Sequence, residues 1–318
     1  MDMVDDAEEA PRRGILARTF LFLVYPAAVF GATIAAYALR DAGAWRHPGT
    51  VGILLAAGLF VFALERRFPY HRAWVRSRGD VRTDLIHNLV NVGSNAAGIA
   101  FLVGIVALGI RHPGIWPRSW PFPAQILLAV LVADLGFYAA HRLSHHLPAL
   151  WRFHAVHHSS TRLYWLNGER RHPVNHGFEV LCGPFLVLLL GPTIEVMTAH
   201  GVLMVVHLMF QHSNVDTRMG PLRHVFAVSE VHRFHHQRDV LACRVNYGGF
   251  LVVWDHLFGT FSSPKRRLGP DAVGLEAGAT VPVSYWGQLL FPFPWFDRPT
   301  TMRDAPGVET LAGKPPLP

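Results

Sequence analysis

Histidine is the residue type in this chain whose number and spacing can do chemistry. The chain has 318 residues and 20 histidines, and 15 of the histidines lie between positions 141 and 236. The segment 141–145 has the pattern His-x-x-x-His, and the segments 154–158 and 232–236 have the pattern His-x-x-His-His. Residues three and four positions apart share one face of an α-helix, so each segment presents its imidazoles together. These segments contain His141, His145, His154, His157, His158, His232, His235 and His236.

This set of imidazoles predicts a metal centre with two ions. Helical bundles that bind two metals use the same ligand offsets, and a structural zinc site closes with only four ligands. Imidazole binds iron, zinc, copper and nickel, so the ligand type leaves the metal open. Two zinc ions would serve hydrolysis. The position of the histidines beside apolar segments, with no obvious nucleophile motif, favours O2 chemistry at iron.

The elements that must hold the histidines are predicted to be membrane helices, because charges are nearly absent from several long segments. The predicted spans are 19–39, 51–64, 85–110 and 124–138; about 20 apolar residues cross a bilayer as a helix. A further apolar stretch, 180–209, is broken by Gly191-Pro192, and its first arm would extend only about 20 Å. We therefore expect a re-entrant hairpin within 178–211, with two buried helices of a soluble cap as the alternative.

The predicted fold is thus an all-α integral membrane bundle of about four transmembrane helices with a cytosolic, histidine-rich helical cap. Three regions are expected: a transmembrane region (1–140), a histidine-containing catalytic region with the hairpin (141–262), and a Pro/Gly-rich tail (263–318). Cys182 and Cys243 are too few for a disulfide framework, an iron–sulfur cluster or a cysteine-rich zinc site. The acidic N-terminus does not resemble a cleavable signal.

The arginines predict an orientation in the membrane. Arginines at 12, 13 and 18 precede the first predicted span, and six arginines lie between the second and third. Because cytoplasmic loops are rich in Arg and Lys, the N-terminus and the histidine segments are expected to face the cytoplasm. The net charge of +7 does not indicate nucleic-acid binding, since the arginines flank apolar segments. Lys265 and Lys314 are the only lysines. This preference for arginine over lysine suggests a GC-rich genome, which favours a bacterial protein and therefore a bacterial inner membrane.

The motifs around the histidines resemble those of a known family. They include the sequence HAVHHSS at 154–160 and WDHLFGT at 254–260. The other matching segments are 137–142, 150–153, 165–167, 171–173, 211–214, 232–236 and 246–248. In order and separation they are similar to the fatty acid hydroxylase / sterol desaturase superfamily of membrane di-iron enzymes, over more than half of the chain.

The resemblance implies two iron ions, O2, a lipid substrate that enters from the bilayer, and hydroxylation or desaturation of that lipid. It implies that the eight histidines above are ligands, with His172 and His212 as additional ligands. Electrons would come from a separate ferredoxin or cytochrome with its reductase. A dizinc hydrolase or structural metal protein, and a non-catalytic lipid-binding protein, remain alternatives.

Several further residues are expected to support the ligands without binding metal. His176 and His207 match no motif of the family and are candidates for hydrogen bonding to a ligand, which would fix its tautomer. The nearby acids Asp134, Glu230 and Asp255 are expected to act in the same indirect way or in salt bridges.

Overall fold

The chain folds into helices joined by turns and loops. The computed structural model describes residues 13–39, 48–107, 114–276, 279 and 281–293, without the side chains of 96 and 99–107. Within these ranges there is no β-strand, only three isolated bridges, so the all-α prediction is confirmed. The α-helices are α1 (Ile15–Ala38), α2 (Pro48–Arg67), α3 (Val81–Ala107), α4 (Phe122–His146), α5 (Pro148–His158), α6 (Pro173–Cys182), α7 (Pro184–Leu189), α8 (Ile194–Gln211), α9 (Ser229–His235), α10 (Val253–Leu257) and α11 (Tyr285–Leu290).

Four of the described helices are long and apolar enough to cross a membrane: α1, α2, α4 and α8. The shortest, α8, has 18 residues and extends about 27 Å, close to the ~30 Å thickness of the hydrocarbon core. Large apolar side chains on these helices face outward; Leu55 and Leu59 of α2 are 64% and 70% exposed. Such a surface is unsuited to water and suited to lipid. The chain is an integral membrane protein, with the expected number of candidate spans.

These four helices differ in part from the predicted spans. Helices α1, α2 and α4 match predicted spans, and α2 and α4 extend beyond the predicted limits at both ends. Helix α3 covers the third predicted span as far as residue 107, while 108–110 lie outside the described residues. It is not among the four, whereas α8, the second arm of the predicted hairpin, is. The paths of α3 and α8 relative to the bilayer, and the orientation of the chain, stay predictions.

The first arm of the predicted hairpin is broken into α6 and α7 at Gly183-Pro184. At this break the backbone passes very close to α4. A methyl group added at Gly136 of α4 would overlap the carbonyl oxygen of Cys182, and one added at Gly183 would lie 2.8 Å from the carbonyl oxygen of Ala133. Glycine is needed here because only hydrogen fits. This contact fixes α4 against α6, and both helices carry residues of the site described below.

The apolar core lies between α1, α2, α4 and α8. Helix α1 packs along α8, where the hydroxyl of Tyr25 is 2.8 Å from Nδ1 of His207 and the ring of Tyr25 meets Phe210 edge-on. The predicted boundary at residue 140 falls inside α4. The described part of the predicted tail contains α11, which contacts α3. The division into three regions therefore stays a prediction, and 294–318 lie outside the described residues.

Candidate metal centre

The turn between α4 and α5 brings the first two histidine segments together. Helix α4 ends at His146, and Pro148 begins α5, a position where the missing N–H of proline is not needed for a helical hydrogen bond. The chain reverses at Leu147, whose N–H donates to the carbonyl of Leu143 at 2.8 Å. As a result, the last turn of α4 faces the last two turns of α5.

The third histidine segment is held next to the end of α8. His212 lies directly after α8, and the segment 232–236 lies on α9 and the residue that follows it. Arg233, which is 2% exposed, binds these two parts together. Its guanidinium donates to the carbonyls of Ser213 at 3.0 Å and Val215 at 2.6 Å. Three segments distant in sequence thus converge on one buried region.

Nine buried histidines form two groups in this region. Within each group, one nitrogen from every histidine lies within 4.8 Å of the others. The larger group contains His141, His145, His154, His158 and His235. The smaller group contains His157, His212, His232 and His236. All nine are at most 5% exposed.

The two His-x-x-His-His segments divide their histidines between the groups in a reciprocal way. In 154–158 the first and last histidines join the larger group and the middle one, His157, joins the smaller. In 232–236 the first and last join the smaller group and the middle one, His235, joins the larger. The outer pair of each segment is spaced i, i+4 and points the same way on its helix, while the middle histidine is rotated toward the neighbouring group.

Hydrogen bonds at Nδ1 fix the orientation of five of these rings. Each Nδ1–H donates to a fixed oxygen, which leaves Nε2 as a lone-pair donor directed into the group. The acceptors are Tyr247 O for His141 (2.8 Å), Asn175 Oδ1 for His154 (2.7 Å), Arg170 O for His157 (3.2 Å), Asn167 Oδ1 for His212 (3.2 Å) and Val245 O for His235 (2.8 Å).

The distances between Nε2 atoms fit a bound cation. The Nε2 atoms of His141 and His154 are 3.1 Å apart, and those of His212 and His232 are 3.0 Å apart. With the Nδ1 protons of His141 and His154 already donated elsewhere, their Nε2 contact is between two lone pairs and is repulsive on its own. Two nitrogens that are each about 2.1 Å from one ion at a right angle lie about 3.0 Å apart.

Unpartnered nitrogens point to the same conclusion. Nε2 of His145 and Nε2 of His235 are buried and have no hydrogen-bond partner among the described residues. Buried polar atoms are nearly always satisfied, so an exception requires an explanation. A metal ion in each group would satisfy these atoms and would remove the repulsion between the Nε2 lone pairs. The residues present therefore fit two metal ions.

Burial keeps the imidazoles neutral, which is the form that binds metal. Burial lowers the pKa of His154 to about 3 and that of His235 to about 4. The pKa values of His157 and His232 are also lowered, first by burial and then by neighbouring histidines. The pKa of His212 is lowered by burial and then by the charge of Arg171. Both groups consist of histidine alone, as far as the described residues extend.

The predicted supporting acids act through the backbone. Asp255 accepts hydrogen bonds from the N–H groups of Tyr247 (2.8 Å) and Gly248 (2.9 Å), and Asp134 accepts from those of Phe250 (2.7 Å) and Leu251 (3.1 Å). The two carboxylates therefore shape the loop whose Tyr247 carbonyl orients His141. Glu230 accepts from Met219 N at 2.8 Å and Arg223 Nη1 at 3.0 Å, which holds the segment before α9.

The remaining predicted histidines lie outside both groups. His172 caps α6: its Nδ1 accepts from the N–H of Val174 at 3.1 Å, and its Nε2 is 3.0 Å from the carbonyl of Leu289. His176 Nε2 is 3.1 Å from Asn95 Oδ1, and His207 is bonded to Tyr25 in the α1–α8 core. These contacts occupy both ring nitrogens of His172, so the structure gives no support to its predicted role as a ligand.

Sequence reasoning missed the groups that orient the ligands. Asn167 lies within the matching segment 165–167 and Asn175 lies two residues after the segment 171–173, but no role was predicted for either side chain. Glu179, which is 2% exposed and lies with Oε1 3.8 Å from Nδ1 of His154, is a third such residue. Backbone carbonyls, such as those of Arg170 and Val245, have no sequence signal.

Comparisons with known proteins decide the family. The family model described as fatty acid hydroxylase matches residues 126–260, a range that contains all nine grouped histidines. An ornithine lipid hydroxylase from Rhizobium tropici is 33% identical over 249 residues, which is 76% of this chain and 74% of the relative. The chain belongs to the fatty acid hydroxylase family.

More distant relatives are monooxygenases. An alkylglycerol monooxygenase from Danio rerio is 32% identical over 187 residues, 57% of this chain and 39% of the relative. Methylsterol monooxygenase 1 from the same organism is 29% identical over 163 residues, 48% of this chain and 51% of the relative. No solved structure matches the chain. This member of the fatty acid hydroxylase family is a membrane-bound, metal-binding oxidoreductase that acts on lipid, and the predicted resemblance is confirmed.

Proposed function

We propose that this chain uses two iron ions and O2 to hydroxylate a polar membrane lipid, with an ornithine lipid or a closely related aminolipid as the substrate. The observation that carries the proposal is the pair of buried, neutral histidine groups whose nitrogens converge at about 3 Å. The substrate class rests on the ornithine lipid hydroxylase of Rhizobium tropici, to which the similarity extends over about three quarters of both chains.

The proposed ligand set is the nine grouped histidines. His141, His145, His154, His158 and His235 would hold one ion, and His157, His212, His232 and His236 would hold the other. His172 is left out, because both of its ring nitrogens have other partners.

The iron pair supplies the capacity to activate O2 for insertion into a C–H bond. In the overall reaction one oxygen atom enters a C–H bond of the lipid as a hydroxyl group. The other leaves as water, which requires two electrons and two protons. The contribution of this chain is to keep the imidazoles neutral, to fix their tautomers through Nδ1, and to exclude water by burial.

The place of the ligands in α4 supports access from the bilayer. His141 and His145 lie on the last turns of a helix that can span a membrane. Leu143 and Leu147, each 44% exposed, lie on the outer surface of the same region. The headgroup region of a lipid beside α4 would therefore reach the histidine ligands while its acyl chains stayed on an apolar surface.

Electrons would arrive from a separate ferredoxin or cytochrome with its reductase. A basic cluster near the smaller histidine group, in which Arg218 is 43% exposed, supports an acidic redox partner. Three guanidiniums surround one carboxylate, that of Asp216: Arg13 at 3.3 Å, Arg267 at 3.0 Å and Arg218 at 3.7 Å. This cluster is net positive, and Asp216 is four residues from His212. Complementary charge speeds the encounter of redox partners. The same basic cluster fits a cytoplasmic location for the N-terminus and the histidines in a bacterial inner membrane.

Metal analysis tests the proposal. Iron and zinc would be measured in detergent-purified protein and in the variants His157→Ala and His235→Ala, one from each group, with the exposed His224→Ala as the control. We expect about two irons per chain, lost in both ligand variants and kept in the control. Ornithine lipid incubated with the protein, O2 and a reducing system should gain one oxygen atom by mass spectrometry. Two zinc ions that iron-replete expression does not displace, together with no O2 consumption, would contradict the proposal.

A further inference from the structure

A second polar site lies between α3 and α6, beside the larger histidine group. Asn91 and Asn95 are one turn apart on the same face of α3. Asn91 Nδ2 donates to the carbonyl of Glu169 at 3.0 Å, and Asn95 Oδ1 is 3.1 Å from Nε2 of His176 on α6. The two asparagines therefore bring Glu169 and His176 to the same stretch of α3. Asn91 and His176 are 1% and 5% exposed.

Three hydrogen-bond acceptors of this site have no partner among the described residues: Asn91 Oδ1, Glu169 Oε2 and His176 Nδ1. The orientation of Asn91 is set by its donated bond, so its free atom is the oxygen. His176 Nε2–H donates to Asn95 Oδ1, so Nδ1 carries a lone pair. Buried acceptors without a partner need an explanation, and a ligand with several donors would supply it for all three.

The charges at the site favour a cation as that ligand. Arg171 forms an ion pair with Glu179 at 3.0 Å, and Glu169 is a second carboxylate close enough to attract the same guanidinium. Among the described residues Glu169 has no ion pair of its own. A water molecule donates two hydrogen bonds at most, whereas a primary ammonium has three N–H donors and a positive charge. An ammonium matches both the number of acceptors and the charge.

Both helices of the site also present apolar residues at the surface. Val92 of α3 and Leu181 of α6 are 62% and 57% exposed, and a methyl group added at Gly93 or Gly177 would meet no described atom within 4 Å. A molecule that reaches the acceptors across this surface needs an apolar part for the surface and a donor-rich cation for the interior.

The site is coupled by structure to the larger histidine group. Asn175, the residue before His176, accepts the hydrogen bond from Nδ1 of His154. Glu179, one turn further along α6, lies 3.8 Å from the same nitrogen. Helix α6, which carries His176, therefore also orients a ligand of the proposed metal centre.

We propose that Glu169, Asn91 and His176 bind the primary ammonium of the substrate's headgroup, so that the enzyme selects lipids with a free amine. This inference rests on the proposed function and deepens it by naming the group that the enzyme recognises. It also explains why polar side chains of α3 lie beside an exposed apolar surface.

The test compares two lipids that differ only at the amine. Metal-loaded enzyme in lipid nanodiscs would be given an ornithine lipid and its N-acetylated form, with the reducing system described above. We expect the wild-type enzyme to prefer the free amine by about ten- to a hundredfold in kcat/KM, as for the loss of a charge-assisted hydrogen bond. In Glu169→Gln the preference should fall by a similar factor, mainly through KM. The exposed Glu276→Gln is the matched control and should keep the preference.

The outcomes separate the headgroup proposal from the proposed function. A wild-type enzyme that oxidises both lipids equally would overturn the headgroup proposal and leave the lipid hydroxylase intact, and this measurement needs no variant. An unchanged preference in metal-loaded Glu169→Gln would also overturn it. His176→Phe removes a second acceptor and should lower the preference independently if Glu169→Gln does not fold. A wild-type enzyme with two irons that oxidises neither lipid would instead contradict the proposed substrate class.

Discussion

Replacing Asp255 by asparagine should loosen one histidine group and leave the other in place. Asp255 is fully buried, and its two oxygens accept separately from Tyr247 N at 2.8 Å and Gly248 N at 2.9 Å. An asparagine has one acceptor oxygen, so one buried N–H would face an amide NH2 group. An unsatisfied buried donor costs about 1–3 kcal/mol, and the loss of a charge-assisted bond adds about 1 kcal/mol. The free energy of unfolding should therefore fall by about 2–4 kcal/mol.

The same change should weaken metal binding at the larger group. The Tyr247 carbonyl holds Nδ1 of His141 at 2.8 Å, and loss of such an orienting contact lowers metal affinity by about ten- to a hundredfold. Iron content would be measured after dialysis against increasing chelator, with thermal unfolding in detergent measured in parallel. We expect Asp255→Asn to fall from about two irons to about one at a chelator concentration that leaves the wild type loaded.

The control is Asp271→Asn, a change in a side chain that is 80% exposed and 3.7 Å from Arg78. It should alter stability by less than about 0.5 kcal/mol and leave the iron content unchanged. If Asp255→Asn kept both irons as firmly as the wild type, the reasoning that links this carboxylate to His141 would be refuted, whatever happened to the unfolding temperature.

Three further outcomes are expected. Gly136→Ala should prevent the close approach of α4 to the α6–α7 break and sharply reduce the yield of folded, metal-loaded protein, as measured by size-exclusion chromatography. The control Gly31→Ala, with no described atom within 4 Å of the added methyl group, should keep the wild-type yield. Equal yields of the two variants would contradict this packing. His172→Gln should keep both irons and His154→Gln should lose metal, as measured by metal analysis; loss of metal in both would restore His172 as a ligand. The metal-free chain should be most stable above about pH 6.5 and lose stability as the pH falls toward 4. Burial holds the pKa of His154 at about 3 and that of His235 at about 4 in the folded chain. The unfolded chain therefore binds more protons than the folded chain in this pH range. Thermal unfolding between pH 4 and 8 checks this slope, and a flat profile would count against burial of neutral histidines.

Much of the fold was predictable because it depends on local patterns. Apolar runs define α1, α2 and α4, since a helix in lipid must be apolar along its length. The end of α4 was placed too early, because its last two turns carry histidines that look polar in sequence and are buried in the structure. Helix α8 was predicted to be one arm of a hairpin because Gly191-Pro192 indicated a turn. The pattern of apolar residues does not show how a helix packs against its neighbours.

Much of the candidate site was also predictable, for a different reason. Histidines spaced i, i+4 share a helical face whatever the tertiary fold, so the three segments could be recognised as ligand carriers. His172 had the same kind of neighbourhood in sequence, with His176 four residues later, yet it caps α6. Whether such a histidine caps a helix or binds a metal depends on where the helix begins relative to the site. The spacing of neighbouring residues in the sequence does not specify this.

The sequence by itself determined the chemistry of this protein: neutral imidazoles at helical spacing, apolar helices to hold them in a membrane, and motifs that resemble a family of lipid-oxidising enzymes. Only the tertiary structure decided how the histidines divide into groups of five and four. It also decided which oxygens orient them and which acceptors between α3 and α6 have no partner within the described part of the chain. The physical reason is that helical spacing is a property of neighbouring residues. The position of one helix against another depends on contacts between residues far apart in the chain, such as Gly136 with Cys182 and Arg233 with Ser213.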